Sequence, residues 1–290
     1  MNDVRDHVTD LDVVDESIYD HPKYYDLVFG ADVAAETKFI LGCCDAYLLR
    51  GRGTPRSPRF LEPACGTGRL LMSLLRRGHA AWGLDLNSKA VEFCNARMNR
   101  HDFGERAIVA NMCDFRSGEF AGRSGWTPTL RRASRPFCVA FNTINSFRHV
   151  ATERDARRHF ECMADVIRPG GLYLLGVHLT PTSVPPSETE SWSARRGHLA
   201  INTHMWTIHR QSSDRIERFG IRFDVHTPSR SFRINDELHL RSYTPKQMQS
   251  TIGACGQWDI VQTHDFAYDL HDPIEVDSGT EDVVYVLRRR

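Results

Sequence analysis

FLEPACGTGRLLMSLLRRGHAAWGLDLN, Phe60 to Asn87, reads as strand, turn, helix and strand, with an acidic residue closing each strand. Phe60, Leu61 and Glu62 end a short apolar strand. Pro63, Ala64, Cys65, Gly66, Thr67 and Gly68 follow, small enough as a group for the backbone to turn sharply and come close to a ligand. Leu70, Leu71, Leu74 and Leu75 recur at helical spacing, so a helix begins near Gly68, buries one face and leaves its first N–H groups at the strand ends. Gly78 stops the helix, and Ala80 to Leu84 form a strand that ends on Asp85.

A carboxylate at that place, roughly 20 residues beyond a glycine turn, is where α/β nucleotide folds hydrogen-bond a ribose diol. A dinucleotide site wants GxGxxG, and here Leu71 stands where the third glycine belongs, which suits a pyrophosphate poorly. Glu62, then CGTG, then Asp85 instead resembles the class I S-adenosylmethionine-dependent methyltransferases. Their ligand carries a sulfonium, an amino acid and an adenosine but no phosphate. The resemblance implies a doubly wound, Rossmann-like α/β fold with a seven-stranded sheet.

Outward from this unit the pattern continues. Residues 1–16 read as a flexible acidic lead. IYDHPKYYDLVFG then crowds Tyr19, Tyr24, Tyr25 and Asp26 ahead of the first core strand. These rings suit a sulfonium or an adenine face, or simply anchor a helix. Ala34 to Leu49 has helical periodicity and precedes the breaker-rich RGRGTPRSPR, 50–59. After Asp85 come a helix through Val91, Phe93, Cys94 and Met98 and a strand Ala107 to Ala110. The latter ends at Asn111, Met112, Cys113 and Asp114, beside the position of a bound adenine. The stretch 116–136 reads as a surface loop. Phe137 to Phe141 is a fourth strand emptying into NTINSFRHV. Glu153 to Ile167 is a helix, RPGG (168–171) a turn, and Leu172 to His178 a fifth strand.

ACGTG (64–68), ANM (110–112), NSFRH (145–149) and RPGG (168–171) together resemble the glycine N-methyltransferase branch of that superfamily, over roughly Tyr19 to His178. The resemblance implies cofactor contacts from Tyr25, Glu62, Ala64, Cys65, Gly66, Gly68, Asp85, Leu86, Asn111, Met112, Asn142 and His149. It also turns Asn145 toward the methyl acceptor. One departure is informative: that branch has an arginine just after the fifth strand to clamp the acceptor's carboxylate, and this chain has Leu179, so glycine is a poor acceptor here. His178 ends the fifth strand on the ligand-facing rim and is a candidate general base.

PTSVPPSETES (181–191) reads as a linker into three alternating runs, LAINTHMWTIH, RIERFGIRFDVH and RSFRINDELHL. Period two makes 181–243 an antiparallel insertion, placed to shape an acceptor pocket, build a homodimer interface, or both. The methyltransferase core is then 17–180 with 244–290. Histidines 198, 204, 209, 226 and 239 have no metal-ligand spacing and are read as strand-face residues, with no metal. Thr244 to Ala254 is a capped helix, and Trp258 to His264 with Asp282 to Arg288 an antiparallel edge.

Composition narrows the classes. A formal net charge of +0 over 290 residues excludes a global field for nucleic acid or anionic membrane, and no stretch approaches a membrane span. Eight scattered cysteines without a CxxC pair read as free thiols of a reducing cytoplasm. The expectation is an enzyme that transfers a methyl group from S-adenosyl-L-methionine to an amine or hydroxyl of a small molecule. Two rivals are a methyltransferase fold used as a non-catalytic scaffold and a nicotinamide oxidoreductase.

Overall fold

The computed structural model describes residues 11–49, 57–133, 135–183, 189–210 and 213–290. Residues 1–10 of the expected lead, 50–56 of the breaker-rich loop and 184–188 of the expected linker lie outside them. In chain order the elements are β1 (Asp12–Asp15), α1 (Pro22–Val28), α2 (Val33–Tyr47), β2 (Arg59–Pro63), α3 (Arg69–Arg76), β3 (Ala80–Asp85), α4 (Ser88–Asn99) and β4 (Ala107–Val109). Then follow α5 (Pro128–Arg132), β5 (Phe137–Asn142), α6 (Glu153–Val166), β6 (Ile167–His178), β7 (Thr189–Arg196), β8 (Leu199–Arg210), β9 (Ile216–His226) and β10 (Ser231–Arg241). α7 (Pro245–Ala254), β11 (Trp258–His264) and β12 (Asp282–Arg289) complete the chain. Among the described residues no helix is long and apolar enough to cross a membrane.

Seven strands make one sheet in the order β11-β12-β6-β5-β2-β3-β4, parallel from β6 to β4, with β12 antiparallel to both β6 and β11. Helices cover both faces, so a central strand must be apolar throughout, and every residue of β5 is buried. Chain direction reverses across β2: β3 lies on one side and β5 on the other. A ligand crevice opens at the carboxyl ends of the strands at such a switch point.

Four corrections to the sequence reading arise here. Asp12–Asp15 is not lead but a strand paired in parallel with β10. The stretch 116–136 is not a surface loop: Phe120, Trp126 and Leu130 are buried on one face of the sheet, with Trp126 edge-on to Trp82 at 5.2 Å. No period shows there because the buried residues come singly from elements of four or five residues and the irregular chain between them. RPGG is drawn into β6, with a register shift against β5 absorbing Gly170 at φ 73°. The linker is shorter than read, since Thr189–Ser191 already belong to β7.

The inserted strands form a second sheet, β1-β10-β9-β8-β7. Its inner face carries Phe219, Ile221, Phe223 and Val225 from β9 and Phe232, Ile234, Leu238 and Leu240 from β10, all buried at period two. Asp236 interrupts that apolar row and accepts the Ser17 hydroxyl at 3.0 Å and the Ile18 N–H at 2.9 Å, pinning the N-terminal segment between the sheets. The second tie is Arg148, 2 % exposed, which donates Nε to the Arg241 carbonyl at 2.8 Å and forms a buried ion pair with Glu217 of β9.

These buried polar groups can be tested in two ways. Glu217→Ala leaves the Arg148 guanidinium buried without its carboxylate and should cost about 3–5 kcal/mol in urea unfolding, whereas the double substitution Arg148→Met with Glu217→Leu should cost far less. Equal losses would remove the ion pair from the account. His159 of α6, fully buried between the Met112 carbonyl at 3.0 Å and the Tyr173 hydroxyl at 2.8 Å, is pushed by that burial to about 4. The unfolded chain therefore binds this proton nearer 6.5, and its contribution to stability is lost as pH falls from about 6.5 towards 4, by about 3 kcal/mol. The difference between the wild-type and His159→Asn stability profiles should show that slope; parallel profiles would contradict it.

Candidate functional site

A cavity of about 1240 Å³ lies outside the carboxyl ends of β2 to β6 and is roofed by the second sheet. All but one of the sequence-chosen site residues line it: Tyr25, Glu62, Ala64, Cys65, Gly66, Asp85, Leu86, Asn111, Met112, Asn142, Asn145, His149 and His178. The exception is Gly68. It caps α3 at φ 72°, and a Cβ there would meet Cys94 Sγ at 2.3 Å, so this glycine lets α4 pack beneath the turn and does not face the cavity.

The turn itself is tied to the next strand. Gly66, at φ 51° and with nothing within 4 Å of a Cβ position, needs glycine for its conformation and leaves space at the turn. Its N–H donates to Asp85 Oδ2 at 2.8 Å, and the Asn87 N–H donates to Oδ1 at 2.9 Å. Burial nevertheless raises the Asp85 carboxyl above its ordinary range, against those two N–H groups. Each of its oxygens keeps a second acceptor direction. Glu62 is 7 % exposed, and burial pushes its carboxyl well up. Its Oε2 has no hydrogen-bond partner. Arg69 acts on it only at a distance, because the guanidinium is paired with Glu36, which also accepts from Thr143. Asn142 donates Nδ2 to the Pro63 carbonyl at 3.2 Å and leaves Oδ1 buried without a partner.

At the other end Asn111 Oδ1 accepts the Cys113 N–H at 2.9 Å, and the Met112 carbonyl is held by His159. Tyr19 closes this end: its hydroxyl is 2.9 Å from His149 Nε2, its ring meets His149 edge-on at 5.5 Å, and it lies 5.3 Å from Tyr25. His149 keeps an exposed face, and desolvation within the cavity lining together with the neighbouring Arg148 charge pushes its pKa down to about 4. Burial raises both Tyr19 and Tyr25, which keep their protons.

The third region has a polar and an apolar wall. His178 Nδ1 is 2.8 Å from Asp282 Oδ1, with Glu281 and Leu179 beside them on the lining. Opposite stand Trp192, Phe219, Ile221, Leu238 and Leu240 of the second sheet. Asn145 lines the cavity, and its Oδ1 accepts the His178 backbone N–H at 2.9 Å, so it also braces the strand end. Asp282 and the Arg148–Glu217 pair were missed by sequence reasoning. Asp282 was recoverable, since it opens the last strand and sits opposite His178 in the antiparallel register with β6. Among the described residues no group of three His, Cys, Asp or Glu side chains converges as a metal site would require.

Residues 60–171 match the family model of the methyltransferase domain. YqeM of Bacillus subtilis (strain 168), provisionally named a methyltransferase, is 25% identical over 124 residues, 43% of this chain and 44% of that protein, so the match spans less than half the relative's length. An S-adenosylmethionine-dependent methyltransferase from Clostridium acetobutylicum superposes with a TM-score of 0.68 at 17% identity, over 92% of this chain and 96% of that one. S-adenosylmethionine-bound CalS10, an amino pentose methyltransferase from Micromonospora echinaspora, gives 0.66 at 17% identity over 96% and 98%. These two likenesses establish a shared fold along nearly the whole chain. The matched methyltransferase domain spans 60–171, less than half of the chain, and beyond it the likeness is one of fold.

Proposed function

We propose that this chain transfers a methyl group from S-adenosylmethionine to the amine of a small molecule that carries no carboxylate. The observation that supports the cofactor half is the pair of acids at adjacent strand ends, Glu62 buried and Asp85 half-buried. Glu62, with Oε2 unpartnered, suits a ligand ammonium, and Asp85, already fixed by the Gly66 and Asn87 N–H groups, keeps acceptor directions for a diol. Asn111, Met112 and Leu86 flank the place of a base, and Tyr19, Tyr25 and His149 close that end of the cavity. When bound, the cofactor supplies a methyl group already activated by a positive sulfur.

The chain's own task is to hold a nitrogen lone pair in line and keep water out. Holding that near-attack geometry is worth roughly 7–11 kcal/mol. The acceptor wall favours a cation. Asp282 and Glu281 line it, and the two cavity guanidiniums, Arg69 and Arg148, are paired with Glu36 and Glu217. Between Asp265 and Glu281 the loop that rims the cavity has six acidic residues and no lysine or arginine, so its field draws cationic acceptors. Leu179, buried at the strand end, offers no fork for a carboxylate. The apolar face of Trp192, Phe219 and Leu240 suits an acceptor with a ring or aliphatic body. CalS10, which acts on an amino pentose by its description, is in keeping with this reading.

A panel of matched ring amines, the corresponding alcohols and α-amino acids tests the proposal, with S-adenosylhomocysteine release as the readout. Ring amines should turn over at least about 10²-fold faster than the isosteric alcohols, the difference expected when buried charged groups lose their partner. Turnover confined to alcohols or amino acids would overturn the acceptor assignment. Tight adenosyl binding with no methyl transfer to any compound would favour the scaffold.

A further inference from the structure

We propose that Asp282 is a positioning residue for methyl transfer: by accepting the Nδ1–H of His178 it fixes the imidazole tautomer whose Nε2 lone pair takes the proton shed by the acceptor. The inference rests on the methyltransferase reading above.

Three observations carry it. The pairing is set by backbone geometry: Asp282 stands directly opposite His178 in the β12–β6 register, and Nδ1 and Oδ1 meet at 2.8 Å. A carboxylate is acceptor-only, so the shared proton sits on Nδ1 and Nε2 keeps its lone pair. The strand end is clamped on both sides of the imidazole: Asn145 Oδ1 accepts the His178 N–H at 2.9 Å, and the Leu179 N–H donates to the Glu281 carbonyl at 2.6 Å. Asn145 itself is held in the left-handed region at φ 54°, its N–H donating to the Gly176 carbonyl at 3.2 Å, a constrained backbone whose result is to aim one side-chain oxygen at this strand end. Finally, His178 and Asp282 both line the cavity and both keep partial exposure, with 34% and 44% of their side chains accessible. The pair thus faces the acceptor and reaches solvent.

The chemistry balances within the chain. An N–H bond of the acceptor ammonium breaks, its electron pair stays on nitrogen as the lone pair that will attack, and the proton bonds to His178 Nε2. The resulting imidazolium lies against the Asp282 carboxylate, which stabilises it, and the proton then passes to water at the exposed edge. The competing account is a pair that only pins β12 to β6.

The test is ¹⁵N-resolved NMR of the histidine side chains, with the His178 signal assigned by its loss in His178→Gln, beside steady-state kinetics of Asp282→Asn and Asp282→Glu. The wild type should show the Nδ1–H tautomer at His178. Asp282→Asn, which can turn its own N–H toward Nδ1, should shift the population to Nε2–H and lower kcat by about 10²-fold. Its S-adenosylhomocysteine Kd should stay within about twofold, and Asp282→Glu should restore part of kcat. An Asp282→Asn variant with an unchanged tautomer and kcat but a lower Tm overturns the proposal in favour of strand pinning. A wild type that binds no adenosyl ligand overturns instead the reading beneath it, which keeps the two failures distinct.

Discussion

Two carboxylates at the ends of neighbouring parallel strands, Glu62 buried and Asp85 half-buried, have no cation of their own among the described residues. Glu62 and Asp85 sit where β2 and β3 open onto the cavity, and the nearby guanidinium of Arg69 is engaged by Glu36. Burying an ionised group without compensation is among the costliest acts in folding. Backbone N–H groups offset part of the cost at Asp85, and both carboxyls are raised above their ordinary ranges. The remaining demand is for a ligand with an ammonium at one end and hydroxyls beside it. The glycine turn, the reversal of chain order at β2 and the packing of α4 under Gly68 serve to hold those acids at a fixed spacing.

The second sheet turns an open crevice into an enclosed cavity. Its apolar inner face cannot stand in water, and it is held over the strand ends by the Arg148–Glu217 pair and by Asp236 gripping Ser17 and Ile18. The same docking brings Tyr19 onto His149 and Trp192 and Phe219 opposite His178. Stability and cavity formation are therefore coupled: contacts that seat the roof also line the cavity. Asp26 adds a further link, since it accepts from Thr67 of the glycine turn at 2.9 Å and pairs with Arg97 of α4.

Much of this was legible in the residues from Phe60 to Asn87, because strand, turn and helix there are local and periodic. The alternating runs of the insertion were equally readable, as was the Thr244 cap, which forms a reciprocal box with Gln247. What escaped was non-local. Phe120, Trp126 and Leu130 enter the core from a short 3-10 helix, an irregular segment and the five-residue α5, each too short to show a period. Asp12–Asp15 joins a sheet whose other strands lie some two hundred residues later, so no neighbouring residue announces it. The partnership of His178 with Asp282 depends on strand register, which the sequence encodes only once β12 is laid against β6. Gly68 packs against Cys94, and a glycine demanded by packing and one demanded by a ligand look alike in a motif.

Calorimetric titration of the wild type and Asp85→Ala with S-adenosylhomocysteine, S-adenosylmethionine and NADH addresses the central claim most directly. The account predicts that both adenosyl ligands bind, that NADH does not, and that the substitution weakens adenosyl binding by about 1.5–3 kcal/mol, the worth of a hydrogen bond to a charged group. NADH binding in preference to the adenosyl ligands, or adenosyl affinity indifferent to the loss of Asp85, would contradict it.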